Sequence, residues 1–101
     1  MPIYRSLRYK VKPDSVEKVS QLVQEYVALV KQREPGTSFY MVMQEKDDPS
    51  IFVHFGVYAD ADALEAHNNN AYVKHYADSV FAEAPDPGVL TDYDLIASKN
   101  I

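Results

Sequence analysis

Three histidines, His54, His67 and His75, are the side chains here best suited to moving protons near neutral pH. Their neighbours separate them. His67 follows Ala63 and Leu64 at the three- and four-residue steps that share a helix face, so its imidazole points toward an apolar surface, where it could serve as a general base or simply as a hydrogen-bonded packing residue. His54 lies in an apolar run and reads as a strand packing residue, while His75, close to Lys74 and Asp78, reads as solvated. No His or carboxylate pair has a metal-ligand spacing such as H-E-x-x-H or an EF-hand loop, so no metal is expected; Asp47-Asp48 and Asp60-x-Asp62 read as turn and cap chemistry. With no cysteine there is no thiolate nucleophile and no Cys-based zinc site, and no G-x-S-x-G elbow supports a Ser-His-Asp triad. Eight tyrosines and four phenylalanines remain, enough to line a pocket for a flat apolar ligand or to build a core and a dimer interface.

Those side chains need a scaffold, and the hydrophobic pattern supplies one. Ile3, Leu7, Tyr9 and Val11 alternate with polar positions as a first strand, apolar on its odd face except for Arg5. Pro13-Asp14 stops it, and Asp14 with Glu17 three residues later predicts a capping box that opens a helix. Val16, Val19, Leu22, Val23, Tyr26, Val27 and Val30 form its apolar stripe, which Pro35-Gly36 ends. Thr37 to Glu45 reads as a second strand apolar on both faces, joined through the Asp47-Asp48-Pro49-Ser50 turn to a third over Ile51 to Tyr58. Asp60 caps a short helix; Asn68-Asn69-Asn70 separates it from another, and a last strand spans Val89 to Ile96. This order predicts an α+β, ferredoxin-like βαββαβ domain over residues 1–101, an antiparallel sheet with helices on one face. Its second face, to which Tyr40 and Val42 are assigned, is too apolar to stay wet and predicts an obligate homodimer.

Composition narrows the classes. The chain is 47% apolar and 25% charged with a net charge of −5, the profile of a soluble globule and the wrong sign for binding nucleic acid or an anionic membrane. The N-terminus has neither a signal-peptide core nor a membrane span, and the absence of cysteine fits a reducing compartment, so a cytoplasmic location is expected. Gly36, Gly56 and Gly88 are too far apart for a phosphate-cradling loop.

Glu34-Pro35-Gly36-x-x-x-Tyr40, then Asp48-Pro49-x-x-Phe52-Val53, then Tyr58-x-Asp60-x-x-Ala63-Leu64-x-x-His67, together resemble the antibiotic biosynthesis monooxygenase family of dimeric α/β barrels over nearly the whole chain. The resemblance implies a homodimer associated through its sheet faces, and an oxygenase acting on a quinol or another small aromatic, polyketide-like ligand without metal, flavin or haem. A non-catalytic ligand-binding dimer, or an isomerase or lyase of a small oxygenated metabolite, is the alternative. His67 falls on the histidine of the Ala-Leu-x-x-His motif, which implies a place beside the ligand and a role as the base that deprotonates it. Tyr26 and Tyr76 are then candidates to hydrogen-bond the resulting oxyanion, and Leu7, Phe39 and Met41 to sandwich the ring. Two positions depart from the family pattern: Gly56 and Tyr58 stand where a glutamate and, two residues later, a tryptophan are common. A haem-degrading branch of the fold uses an asparagine, a tryptophan and a haem-ligating histidine where this chain has Leu7, His67 and Ala77, so that chemistry is not implied.

Overall fold

The computed structural model describes residues 1–100. Four strands, β1 (Ile3–Lys10), β2 (Thr37–Gln44), β3 (Ile51–Tyr58) and β4 (Val89–Tyr93), and three helices, α1 (Val16–Arg33), α2 (Ala61–Asn69) and α3 (Ala71–Phe81), follow one another as βαββααβ. The strands form one sheet in the order β2-β3-β1-β4, with every neighbouring pair antiparallel. This is the expected α+β, ferredoxin-like fold, with α2 and α3 together occupying the place of its second helix.

Each element has a local cause. The α1 stripe buries Val19, Val23, Tyr26 and Val30. Of these, Val19 and Val23 meet Tyr9 and Val11 of the first strand and its extension, Phe52 of β3 and Val80 of α3, in one core. Asp60 caps α2 by accepting a hydrogen bond from the Ala63 backbone N–H at 2.9 Å, as its position predicts. The start of α1 differs from expectation. Pro13–Ser15 form a 3₁₀ turn, Ser15 is the N-cap, and no side-chain cap bond forms, so the Asp14–Glu17 capping box is absent. Ser15 Oγ donates instead to Glu83 Oε1 at 2.7 Å, and Lys18 Nζ reaches Glu83 Oε2 at 3.0 Å, tying this turn to the one that follows α3. The last strand is also shorter than expected, ending at Tyr93.

The phase of β2 is a second correction. Tyr40 and Val42 pair with Gly56 and His54 and face the helices; Phe39, Met41 and Met43 face outward, 41%, 37% and 42% exposed. The expected assignment of Tyr40 and Val42 to the open face is therefore reversed. A run that is apolar on both sides carries no alternation to fix its phase, and the ladder slips by one residue between Thr37 and Phe39, where Ser38 is the extra residue of a bulge.

Candidate functional site

Between the sheet and the three helices lies a cavity of about 200 Å³. Leu7, Val23, Leu64, Val73 and Val80 supply apolar wall, and the hydroxyl or imidazole side chains of Tyr9, Tyr26, Tyr40, His54, Tyr58 and His67 also line it. An imidazole 5% exposed in such a setting requires partners for both nitrogens, and His67 has them. Its Nδ1 lies 2.6 Å from Glu34 Oε1 and its Nε2 lies 3.0 Å from the Tyr26 hydroxyl.

The fold brings Glu34 there by a specific route. Pro35-Gly36 terminates α1 so that Glu34 is its C-cap, with its backbone N–H donating to the Val30 carbonyl at 3.1 Å. A Cβ on Gly36 would stand 2.8 Å from the Ala63 Cβ, so a glycine lets this turn press against α2, the helix that carries His67. The C-terminal end of a helix dipole opposes negative charge, and three donors answer it: His67, Thr37 Oγ1 at 2.8 Å and the Tyr72 hydroxyl.

From Tyr26 the hydrogen bonds continue. Tyr26 donates to the Tyr40 hydroxyl at 3.1 Å, Tyr40 meets His54 Nδ1 at 2.8 Å, and His54 Nε2 meets the Tyr9 hydroxyl at 2.7 Å. Six side chains from five segments thus form one unbroken line, Glu34–His67–Tyr26–Tyr40–His54–Tyr9. Burial pushes the Tyr9, Tyr26 and Tyr40 phenols well above their ordinary range and lowers His54 to about 4, with the nearby His67 adding a smaller effect. The intermediate members are held neutral.

Tyr58 is different. Burial raises its phenol to about 12, its ring centroid lies 5.2 Å from that of His67, and its hydroxyl has no hydrogen-bond partner among the described residues. Gly56 makes room for it, since a Cβ there would lie 2.8 Å from Tyr58 Oη and 3.0 Å from Tyr40 Cδ2. The departures at positions 56 and 58 are therefore one change in space, a missing side chain filled by the hydroxyl two residues on.

Of the residues proposed from sequence, Leu7, Tyr26, His67 and Tyr76 line the cavity. The Tyr76 hydroxyl, however, is turned to Glu25 Oε1 at 3.1 Å on the outer surface, leaving only its ring as wall. Phe39 and Met41 lie on the opposite face of the sheet and do not line it, the consequence of the β2 phase. Glu34, Tyr40, His54, Tyr9 and Tyr58 were not singled out as site residues. The motif string contains Glu34, Tyr40 and Tyr58, which was the available signal for these three. Among the described residues no group of three or more His, Cys, Asp or Glu could hold a metal ion, and no helix is long and apolar enough to cross a membrane.

A family model described as antibiotic biosynthesis monooxygenase matches residues 2–79, which contain the Glu34 turn, the β2–β3 hairpin and His67. The chain belongs to this family. Among solved structures, a Caulobacter crescentus protein carrying the antibiotic biosynthesis monooxygenase name superposes with a TM-score of 0.88 at 23% identity, covering 95% of this chain and 91% of that one. Rv0793 from Mycobacterium tuberculosis gives 0.86 at 19% identity over 97% and 98% of the two chains. A conserved protein of Methanosarcina mazei gives 0.84 at 20% over 92% and 91%. At these identities the likeness is one of fold. No curated protein matches the sequence. For the antibiotic biosynthesis monooxygenase family, then, this chain is a member whose cavity is lined by an extended chain of hydroxyl and imidazole groups.

Proposed function

We propose that this protein is a cytoplasmic, homodimeric, cofactor-independent monooxygenase of single-ring quinols or similarly small aromatics, with His67 as the base that holds the substrate proton. One observation carries the reading: a buried imidazole paired with a buried carboxylate at 2.6 Å, set beside an apolar cavity. The carboxylate orients the ring and sets a counter-charge beside it, which is what a base needs when it takes a proton in a dry site. Family membership supports the reaction class.

The size of the site supports the substrate class. A cavity of about 150 Å³ accommodates benzene, so about 200 Å³ suits one ring with small substituents rather than a polycycle. A quinol also supplies its own electrons. Once deprotonated it is electron-rich enough to meet dioxygen; one oxygen atom enters the ring, the other leaves as water, and the product is a hydroxyquinone, with all four electrons drawn from the substrate, two at the hydroxylated C–H and two in the quinol-to-quinone oxidation. Apolar walls exclude bulk water while this happens.

Phe39, Met41 and Met43 on the uncovered face support the dimer, because apolar residues in a row on one strand favour a partner sheet over solvent.

The test is anaerobic mixing with a panel of monocyclic hydroquinones, followed by admission of oxygen and detection of hydroxyquinone. Oxidation should depend on the protein and fall by about 10²–10⁴-fold in His67→Ala, the range for loss of a general base. A rate indifferent to that substitution removes His67 from the role, and turnover that continues without oxygen assigns the site to an isomerase or lyase. Thermal stabilisation by the hydroquinones with no product assigns it to a binding protein.

A further inference from the structure

We propose that Tyr9, His54, Tyr40 and Tyr26 are a proton relay, through which a hydroxylated ligand in the cavity delivers its proton to the His67–Glu34 pair. This rests on the reading that His67 holds the substrate proton, and it changes how the proton arrives. Both nitrogens of His67 are already engaged, by Glu34 at 2.6 Å and Tyr26 at 3.0 Å, so a ligand reaches neither without displacing one of them. Both nitrogens of His54 are likewise engaged. The Tyr9 hydroxyl, at the far end, has His54 as its one partner among the described residues, and Tyr9 is one of the residues that line the cavity.

Each hydroxyl has one proton, so the line has two senses. With Tyr26 donating to Tyr40, Tyr26 must accept from His67 Nε2–H; Tyr40 then donates to His54 Nδ1, and His54 Nε2–H donates to Tyr9. In the opposite sense Tyr9 donates to His54, His54 to Tyr40, Tyr40 to Tyr26 and Tyr26 to His67 Nε2, while His67 Nδ1–H faces Glu34. The second sense holds one proton fewer. The Tyr26-to-Tyr40 donation seen in the structure is the first sense, that of the loaded line; a ligand O–H placed against Tyr9 converts the second sense into it. The ligand O–H bond breaks and its proton joins Tyr9; the Tyr9 proton passes to His54 Nε2, that on His54 Nδ1 to Tyr40, that on Tyr40 to Tyr26, and that on Tyr26 to His67 Nε2. The electron pair stays on the ligand oxygen. The result is an oxyanion accepting from Tyr9 O–H and an imidazolium against the Glu34 carboxylate, with no oxidant or reductant required.

The groups facing the relay suit this transfer. From α1 and the turn after it come Tyr26 and Glu34, from β2 Tyr40, from β3 His54 and Tyr58, from α2 His67 and from α3 Tyr72. Arg5 is the cation lining the cavity, paired with Asp92 at 2.7 Å. Burial keeps the tyrosines and His54 neutral at rest, and the line ends at His67, the one member with a carboxylate beside it. Tyr72, half-buried with Arg33 over its ring at 5.8 Å, bonds the other Glu34 oxygen and leaves that pair one hydroxyl from the surface.

A chromogenic nitrophenol, a single ring whose phenolate absorbs where the phenol does not, reads the transfer without turnover. Titrated into the protein one pH unit below its own ionisation, the probe should bind with its phenolate-to-phenol ratio raised about tenfold, one pKa unit. Tyr40→Phe, which cuts the line in the middle, and Tyr9→Phe, which removes its entrance, should each abolish that rise while His67 and Glu34 stay in place. Having two such variants keeps the test intact if one does not fold. If both bind the probe as phenolate as fully as the wild type, while His67→Gln does not, the relay is wrong and His67 acts directly. If the wild-type protein leaves the probe neutral or unbound, the relay and the base are both overturned.

Discussion

On the face covered by the helices, β1, β2 and β3 place Tyr9, Tyr40, His54 and Tyr58; on the opposite face β2 and β3 place Phe39, Met41, Met43 and Phe55. The covered face is thus the more polar of the two at the level of the site, and the uncovered side of β2 with Phe55 of β3 is apolar. Burying a hydroxyl without a partner is costly, which is why the covered side, Tyr58 excepted, is organised as a line of hydrogen bonds rather than as a simple oily core. An exposed methionine has no such requirement; it needs only a surface to meet. Alternate residues of one strand therefore serve chemistry on one side and association on the other, and they can be broken separately.

The largest expected effect is on the uncovered face. Met41→Asp would place an unpaired charge in the dimer interface proposed above, once from each protomer, and should weaken association by about a thousandfold, some 4 kcal/mol. Sedimentation at low micromolar concentration reads this as a shift from dimer to monomer. A wild-type protein that is already a stable monomer there would show that the face needs no partner.

The next effect belongs to the covered face and depends on pH. His54 is neutral when folded because burial lowers it from 6.5 to about 4, whereas the unfolded chain takes up the proton near 6.5. Stability from this group is therefore fully present above about 6.5 and is lost as pH falls toward 4. Between pH 7 and pH 5 the wild type should lose about 2 kcal/mol relative to His54→Gln, which keeps hydrogen-bonding atoms but does not titrate. Parallel urea titrations of the two proteins at each pH give the difference directly; equal slopes would mean that water reaches His54.

The smallest effect lies at the sheet edge, where Arg5 holds Asp92 by two hydrogen bonds, 2.7 and 3.0 Å long. With Asp92 more than half exposed, Asp92→Asn should lower the unfolding free energy from urea titration by less than about 1 kcal/mol, and the loss should shrink further in high salt.

How much of this was legible beforehand follows the same division. The β1 alternation, the α1 stripe, the Asp60 cap and the Asn68–Asn70 break are local patterns, and each is found where its spacing puts it. The His67 placement was legible for the same reason, being set by Ala63 and Leu64 one turn back. Its partners were not. Glu34 and Tyr26 are 33 and 41 positions away and arrive only when the fold closes α1 and the turn after it on His67. His54 looked like packing because a strand residue among Phe52, Val53 and Phe55 gives no hint that both its nitrogens meet tyrosines. The β2 face was unreadable in principle, since five consecutive apolar residues fit either phase and a single bulge at Ser38 decides between them.

The position of β2 at the sheet edge has a consequence for the newly made chain. Phe39 to Met43 is a stretch of five apolar residues without charge or proline, on a strand whose outer hydrogen-bonding groups lack a neighbouring strand. Such a segment is the kind that stacks into cross-β aggregates when exposed. Its flanks counter this: Glu34-Pro35 precede the strand, and Glu45, Lys46, Asp47, Asp48 and Pro49 follow it. Like charges and prolines in register are costly to stack, so the hairpin turn doubles as a gatekeeper, shielding the most aggregation-prone stretch during the interval between synthesis and burial.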